Sequence, residues 1–129
     1  MRIQAYLRVV SDEATIRAIH KDASIPGATI KQLKAPRGTG GDDWWWNWGT
    51  EPVNLDLEDV DRGVKALLLQ CRPFFPDIRK YPETDIYLEV VTRYDEGDRP
   101  EGLYLSNESI SLLSELGGAL DYDTCPDVS

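Results

Sequence analysis

The chain has 129 residues, which is the length of one domain with its own hydrophobic core. Hydrophobic residues make up 41% of it and charged residues 29%, a balance that is typical of a globular protein and argues against a disordered chain. The formal net charge is −9. No apolar run approaches the roughly 18 residues that a membrane span requires, so no membrane association is predicted.

The charge is unevenly distributed along the chain, and this bears on the kind of partner. Residues 1–41 hold seven bases and three acids, a net of +4, whereas residues 42–129 hold seven bases and twenty acids, a net of −13. An acidic surface repels nucleic-acid phosphates and speeds encounter with a basic protein, so we expect a basic protein partner and no nucleic acid. The alternative is that the acids only keep the protein soluble. The oligomeric state stays open.

Cysteine usage and the opening residues indicate a cellular compartment. Two cysteines, Cys71 and Cys125, are too few for a disulfide framework. The opening MRIQAYLRVV lacks the separate basic and apolar regions of a secretory signal. We therefore expect free thiols and a cytoplasmic protein.

The first third of the chain predicts two strands around a helix. Residues 3–10, IQAYLRVV, are rich in β-branched and aromatic types and predict a strand. Ser11 or Asp12 then caps a helix over residues 12–23. Pro26-Gly27 turns the chain into a second strand, ATIKQL, which a basic, flexible loop near residues 34–43 follows.

The tryptophans lie in the next predicted strand, DDWWWNWGTE. Side chains alternate along a strand, so Trp44, Trp46 and Trp48 share one face and Trp45 and Asn47 share the other. Either face could be the buried one. If helices cover only the face of Trp46, Trp45 is partly exposed, and an exposed aromatic ringed by polar groups is typical of an interface anchor.

The second half predicts two more helices and three strands. Asp56 is the expected N-cap of an amphipathic helix that ends at Arg72-Pro73, because proline disfavours helical geometry in the residue before it. A connector leads to a strand over residues 84–94, and a further strand, LYLS, follows a charged loop. Ser106 caps the last helix, closed by Gly117-Gly118, and ALDYDT forms the final strand before the tail 125–129. The expected inward residues of that helix are Ile110, Leu113 and Leu116.

These elements predict a single α+β domain over residues 1–129. We expect an antiparallel or mixed sheet of about six strands with three helices mainly on one face. A weak internal echo pairs AYLRVV with IYLEVV and GATIKQL with GALDYDT, each first strand being followed by a capped helix. Two such halves predict a duplicated ferredoxin-like unit.

The ending LSNESISLLSELGGALDYD and the two Y-L-x-V strands resemble a bacterial family, domain of unknown function 4279. The resemblance covers nearly the whole chain, although the triple Trp44-Trp45-Trp46 is heavier than the family pattern. It implies no activity. Small acidic bacterial proteins of this type often accompany secreted toxins as immunity proteins, an analogy of fold and composition. The residues that carry the resemblance are Tyr6, Leu7, Val9, Trp46, Trp48, Leu88, Leu105, Ser106, Glu108, Leu113, Leu116, Gly117, Leu120, Asp121 and Asp123.

Candidate catalytic and metal-ligating residues are few. His20 is the single histidine and lies in a basic stretch of the first helix, and Cys71 falls on an apolar helix stripe that buries it, so no nucleophilic catalysis is predicted. Zinc is excluded by ligand count, and no cofactor or metal is predicted. Asp121 and Asp123 point the same way on a strand, which leaves a divalent-metal or carboxylate enzyme as a third reading.

The sequence thus favours a non-enzymatic protein-binding domain, an immunity-type protein that neutralises a basic toxin by direct binding. The acids steer the encounter and Trp45 anchors it. The alternative is a small-ligand-binding or regulatory domain with an aromatic-lined cleft between sheet and helices. The predicted partner-binding residues are Asp42, Asp43, Trp45, Glu51, Asp95, Glu96, Asp98, Asp121 and Asp123.

Overall fold

The computed structural model describes residues 1–34 and 44–127, apart from the side chains of residues 34 and 44. Its helices and strands follow the alternation of apolar and polar residues in the sequence. In chain order they are β1 (Arg2–Ser11), α1 (Glu13–Ala23), β2 (Thr29–Lys34), β3 (Trp44–Gly49), β4 (Val53–Leu55), α2 (Val60–Cys71), a 3-10 turn (Arg72–Phe74), α3 (Phe75–Arg79), β5 (Asp85–Tyr94), α4 (Asn107–Leu116) and β6 (Ala119–Pro126).

The strands form one six-stranded mixed sheet in the order β2-β3-β1-β5-β6, with β4 pairing β1 beside β3. The central pair, β1 and β5, is antiparallel, and its register runs from Arg2 opposite Arg93 to Val10 opposite Asp85. β6 lies parallel to β5, because the chain crosses back over the sheet through α4 before it enters β6. The α+β class with a mixed sheet of six strands is confirmed.

The described helices lie on one face of the sheet, where α1, α2 and α4 contact the strands and α3 packs against α1 and α4. Alternate residues of β1 and β5 point into this core, as the period of two in a strand requires. Trp48 is the largest side chain that is fully buried there, and Trp46 packs partly buried against the same core. The predicted alternation of the tryptophans is therefore observed, and the face of Trp48 is the covered one. Other members of the core are Ile3, Ala5, Leu7, Val9, Ile16, Ile19, Val64, Leu68, Phe75, Ile78, Leu88, Val90 and Leu116.

Two predicted helix ends are confirmed at the level of side-chain contacts. The Asp12 carboxylate accepts a hydrogen bond from the Thr15 amide at the start of α1. The Ser106 hydroxyl accepts a hydrogen bond from the Ser109 amide at the start of α4. Gly117 ends α4 with a φ of +78°, a left-handed conformation that glycine adopts without strain.

The start of α2 differs from the prediction. Asp59, not Asp56, is the N-cap, and its carboxylate accepts from the Arg62 amide. Asp56 instead accepts from the Glu58 amide and shapes the turn that leads into the helix. Aspartate suits both positions, so the sequence alone does not separate a turn from a cap.

The inward face of α4 is also rotated from the expected one. Ile110 is exposed, and the helix buries Ser109, Leu112, Leu113 and Leu116. The reason is a polar contact between two helices: the Ser109 hydroxyl donates to the Asp61 carboxylate of α2 at 2.7 Å. A buried hydroxyl with a charged acceptor fixes the rotation of α4, and apolar spacing alone does not reveal it.

The predicted LYLS strand is absent, since residues 101–106 are irregular. Leu103 and Leu105 still pack against the core, whereas Tyr104 between them is 76% exposed. The alternation is therefore real, but the segment has no partner strand. The short strand β4 was not predicted.

The duplicated ferredoxin-like unit is not confirmed. β6 follows α4 and pairs directly with β5 in parallel, whereas β3 lies between β1 and β2. The two sequence echoes therefore occupy different positions in the sheet. Within residues 1–34 and 44–127, no helix combines the length and the apolar character that a membrane crossing requires.

Candidate functional site

The second face of the sheet is covered by none of the described helices. We call it the open face. Along β1 and β5 it consists of the residues that alternate with the core, from Arg2 to Val10 and from Asp85 to Arg93. Asp121 and Asp123 extend it on β6, opposite Glu89 and Val91. On the other side of β1 it continues through Asn47 and Trp45 of β3 and through Thr29, Lys31 and Leu33 of β2.

Opposite charges meet at the centre of the open face. The Arg8 Nη2 atom lies 2.8 Å from Glu89 Oε1 and 3.9 Å from Asp121 Oδ2. The Arg8 guanidinium also lies over the Tyr87 ring, 5.1 Å from its centroid, which is a cation–π distance. The 2.8 Å ion pair is close but not aligned as a hydrogen bond, because Glu89 Oε1 has no hydrogen-bond partner among the described residues.

Glu89 is an unusual carboxyl group, since only 4% of the residue is exposed although its side chain belongs to the open face. Burial, together with the neighbouring Asp121 carboxylate, raises the pKa of Glu89 to about 7 against the opposing effect of Arg8. Burial and the charge of Glu89 also raise the pKa of Tyr6, which pairs with Glu89 across the strands. Glu89 therefore keeps its proton to a higher pH than an ordinary glutamate.

An apolar pair lies at one end of the open face. Trp45 is 41% exposed and lies opposite Leu33 of the neighbouring strand, which is also exposed. Cross-strand neighbours of this kind contact each other on the sheet surface. The two side chains form an exposed apolar patch beside polar residues, as the sequence predicted for Trp45 if its face were open.

A groove of about 350 Å³ runs between this apolar pair and the central charges. Gly49 contributes to its floor, since it pairs with Arg8 on one side and Thr29 on the other and has no side chain to fill the space between them. A Cβ atom at Gly49 would lie 3.5 Å from the Leu7 carbonyl oxygen, an ordinary contact. The absence of a side chain at this position therefore leaves space rather than relieving strain.

The predicted partner-binding residues fall into separate places. Asp121 and Asp123 share the open face with Trp45, but β5 and β1 lie between β6 and β3, a distance of about 14 Å across the sheet. Asp121 also lies level with Tyr6, about 20 Å along β1 from the end that holds Trp45. Glu51 lies on the helix side, where it lines a small cavity with Gln70 and Phe74. Asp42 and Asp43, with most of the predicted flexible loop, lie outside the described residues.

Asp95, Glu96 and Asp98 form a turn after β5, at the far end of the sheet from Trp45. Trp46 pairs with Ser11 at one end of β1, and Arg2 pairs with Arg93 at the other, so the two ends are about 30 Å apart. The N-terminal ammonium group lies 3.0 Å from Asp95 and 3.6 Å from Asp98 and partly neutralises this acidic turn. The structure does not bring this turn into one site with Trp45.

The catalytic and metal candidates are placed as follows. His20 is exposed on α1, and burial raises the pKa of the Cys71 thiol. Among residues 1–34 and 44–127, no cluster of three or more histidine, cysteine or acidic residues is arranged as metal ligands.

Sequence reasoning missed Arg8, Glu89, Lys31, Arg93 and Leu33. The internal echo could have indicated two of them, Arg8 and Glu89, because AYLRVV has arginine at the position where IYLEVV has glutamate. In the antiparallel register Arg8 lies opposite Tyr87 and Tyr6 opposite Glu89, so the two echo segments place their opposite charges diagonally. Lys31 and Leu33 depend on the order of β2 and β3 in the sheet, and Arg93 depends on the pairing of β5 with β1, for which the sequence gives no pattern.

Comparison with known proteins leaves the family open. A scan of the chain against models of protein families gives no match, and a search of curated proteins gives none. The resemblance to domain of unknown function 4279 stays a prediction that these comparisons do not test.

Proposed function

We propose that this chain is a protein-binding domain whose docking surface is the open face of its sheet. The observation that carries the proposal is the exposed pair of Trp45 and Leu33 on a sheet face that no described helix covers. Burial of a tryptophan side chain in a partner removes a large apolar area from water at the cost of only two rotatable bonds. Such side chains are the common anchors of protein interfaces.

The size of the open face supports a protein partner. Five strands lie side by side, which gives a width of about 24 Å, and β1 and β5 give a length of about 30 Å. The resulting area of about 700 Å² is close to the roughly 800 Å² that one protein contributes to a standard interface.

The charge of the whole chain and the acids at the β5–β6 side favour a basic partner, although Arg2, Arg8, Lys31 and Arg93 also lie on the open face. Asp85, Asp121 and Asp123 lie on the β5–β6 half of the open face, and the chain as a whole carries a net charge of −9. Acids near an interface accelerate association with a basic protein and contribute less to the lifetime of the complex. The biological role that we propose is that of an immunity-type protein that occludes a basic toxin. The analogy with small acidic immunity proteins supports this role.

The test of docking is capture from the source organism with the tagged chain, followed by kinetic measurement on the purified partner. We expect Trp45→Ala to weaken the complex at least tenfold through faster dissociation. Tyr104→Ala is the matched control, because Tyr104 is an exposed aromatic outside the open face. Equal dissociation rates for the two variants would show that Trp45 is not the anchor.

The test of charge uses two double variants of equal net charge. Asp121→Asn with Asp123→Asn should slow association at low salt, whereas Glu13→Gln with Glu58→Gln removes two exposed acids outside the open face and should slow it less. If the partner is toxic when produced alone, co-production of this chain should restore growth and the Trp45→Ala variant should not. A partner without toxicity would remove the immunity role and leave the docking surface in place.

A further inference from the structure

A cleft opens on the helix side of the sheet, at the end where β1 begins and β5 ends, and we call it the terminal cleft. Ile3 and Thr92 form part of its wall and are direct partners in the β1–β5 register. They are 5% and 4% exposed, so the inner part of the cleft reaches the core. The remaining wall comes from the start of α2, from residues 99–104 and from Tyr122 of β6. The volume of about 380 Å³ is within the range of small-molecule sites.

Hydrogen bonds between distant segments hold the walls of the terminal cleft together. The Tyr122 hydroxyl of β6 donates to the Glu101 carbonyl at 2.8 Å. At the other end of the same irregular segment, the Ser106 amide donates to the Asp61 carboxylate of α2 at 2.8 Å. Residues 101–106 are therefore fixed both to β6 and to α2, and the space between these elements is pre-formed, as in most small-molecule sites.

Apolar side chains line the terminal cleft from its mouth to its inner end. Met1, Leu57 and Tyr104 line it and are 42%, 49% and 76% exposed. Val60 and Leu103 also line it, partly buried against the core. Exposed apolar residues that are scattered singly need no explanation, but several that share one concave site are typical of a ligand pocket. A ligand with an apolar body would remove these side chains from water.

The charge of the lining selects the sign of the ligand. Arg99 is the one cationic side chain among the described residues that line the terminal cleft. The N-terminal ammonium group of Met1 lies 3.0 Å from Asp95 and 3.6 Å from Asp98, which compensate its charge. The positive end of the α2 dipole is equivalent to about half a charge and offsets only part of the remaining negative charge. The cleft therefore attracts a cation. The acids that line it are Glu58, Asp59, Asp61 and Glu101.

Two of these acids have side chains that are available to a ligand. Glu58 and Glu101 make no ion pair with any described residue. Their described hydrogen bonds use main-chain atoms, since the Glu58 amide donates to Asp56 and the Glu101 carbonyl accepts from Tyr122. Carboxylates of this kind accept strong hydrogen bonds from an ammonium group. Tyr104 and Tyr122 add aromatic rings to the lining, and such rings attract cations.

We propose that the terminal cleft binds a small organic cation, an amine whose charged group is drawn to the carboxylates of the lining and whose apolar body lies beside Leu57, Val60 and Leu103. The proposal is independent of protein docking, because the cleft lies on the helix side of the sheet and not on the open face. It also differs from the aromatic-lined cleft that the sequence suggested, because its aromatic residues are tyrosines and none of the described tryptophans lines it.

The test is a titration followed by two-dimensional amide NMR on the intact chain at low salt. The probe is phenethylamine, and we expect it to shift the resonances of Leu57, Val60 and Leu103 and to saturate at millimolar concentration. Phenethyl alcohol, which is neutral, and hydrocinnamate, which is an anion of similar size, should each bind at least fivefold more weakly. An analogue that binds as tightly as the amine, or no shift with the amine, would overturn the proposal. Methylamine tests the apolar part: binding as tight as that of phenethylamine would contradict it.

Charge variants separate binding in the terminal cleft from a general response to net charge. Glu58→Gln with Glu101→Gln should weaken phenethylamine binding at least fivefold. The matched control, Glu13→Gln with Glu83→Gln, removes two exposed acids at the opposite end of β1 and should change affinity less than about twofold. Arg99→Gln removes the cation of the lining and should tighten binding instead. Equal weakening by the two double variants would exclude the cleft as the site.

An apolar variant tests the wall of the terminal cleft without changing charge. Leu57→Ala should weaken phenethylamine binding about threefold or more, because it removes apolar surface that the ligand covers. Leu69→Ala is the matched control, since Leu69 is also 49% exposed but lies on α2 outside the cleft. Unchanged affinity in Leu57→Ala, in a variant whose spectrum shows that it is folded, would contradict the proposed position of the apolar body.

Discussion

Trp45 and Trp48 lie three residues apart in β3 and occupy opposite faces of the sheet. Trp48 is fully buried under the helices, and Trp45 is 41% exposed on the face without them. The same contrast holds along β1, where Leu7 is buried in the core and Arg8 reaches the open face. Residue type therefore does not tell whether an aromatic residue stabilises the fold or is free to contact a partner. The position of the helices decides it.

Buried polar groups without a described hydrogen bond occur on both faces. On the covered face the Ser109 hydroxyl donates to a carboxylate, but the Trp48 indole N–H has no described partner. On the open face Glu89 Oε1 and Arg8 Nε are in the same situation. The burial of apolar side chains, and not the satisfaction of polar groups, therefore distinguishes the two faces. The following variants test that division.

The largest expected effect is on the covered face. Trp48→Ala should lower the free energy of unfolding by about 3–5 kcal/mol, because it leaves a cavity in the core. Chemical denaturation measures the change. Trp48→Phe is the control, and it should cost less, because it fills part of the space and removes an indole N–H that has no described partner. A loss below about 1 kcal/mol for Trp48→Ala would contradict the assignment of this face as the core.

The next largest effect on stability is expected at Thr50, which lies between β3 and β4 and bonds to β1. The Thr50 hydroxyl accepts a hydrogen bond from the Leu7 amide at 2.9 Å, and the Thr50 amide donates to the Leu7 carbonyl at 3.0 Å. Thr50→Val leaves the buried Leu7 amide without an acceptor and should cost about 1–3 kcal/mol in the free energy of unfolding. Thr50→Ser keeps the hydroxyl and should cost less. Equal losses in thermal or chemical denaturation would show that packing, not this hydrogen bond, is responsible.

A pH effect is expected at the centre of the open face. The pKa of Glu89 is raised to about 7 in the folded chain from an ordinary 4.5, so the folded state holds the proton more tightly than the unfolded state. Its contribution to stability is complete below pH 4.5 and is lost as the pH rises from about 4.5 to about 7. Relative to Glu89→Gln, which does not titrate, the native chain should lose on the order of 1–3 kcal/mol across this window.

Denaturation of both proteins at several pH values measures the Glu89 effect. Asp121→Asn should reduce the slope, because the Asp121 carboxylate is one cause of the raised pKa. Parallel stability curves for the native chain and Glu89→Gln would show that Glu89 titrates normally.

The smallest expected effect on stability is at Trp45. Trp45→Ala should lower the free energy of unfolding by about 1 kcal/mol or less, since the side chain is already partly in water. The same variant is expected to weaken partner binding at least tenfold, so stability and binding separate in one substitution. A loss of stability as large as that of Trp48→Ala would mean that Trp45 belongs to the core and would remove the basis for the docking surface.

Much of the fold could be predicted because it depends on local patterns. The alternation in IQAYLRVV and the caps at Asp12 and Ser106 are properties of neighbouring residues, and they are observed. Errors occurred where a local pattern allows two outcomes. Asp56 could cap the helix or form a turn before it, and LYLS could pair with another strand or remain irregular. Ile110 could point into the core or into solvent. For Ile110, the contact between Asp61 of α2 and Ser109 of α4 made the choice.

The candidate site was harder to predict than the fold. Trp45 and the acids of β6 were found because their alternation places them on one face. The Arg8–Glu89 pair and the groove over Gly49 join residues from several strands. Strand order is set by crossovers and by long-range packing, so no window of the sequence contains it.

The sequence by itself determined the α+β class, the alternation of the tryptophans and the excess of acid after residue 41. These follow from local propensity and from charge, which need no knowledge of distant contacts. Only the tertiary structure decided that the helices cover the face of Trp48 and that Glu89 is buried beside Arg8. The physical reason is that burial and the local electric field depend on which strands are neighbours, and neighbours in the sheet are far apart in the chain.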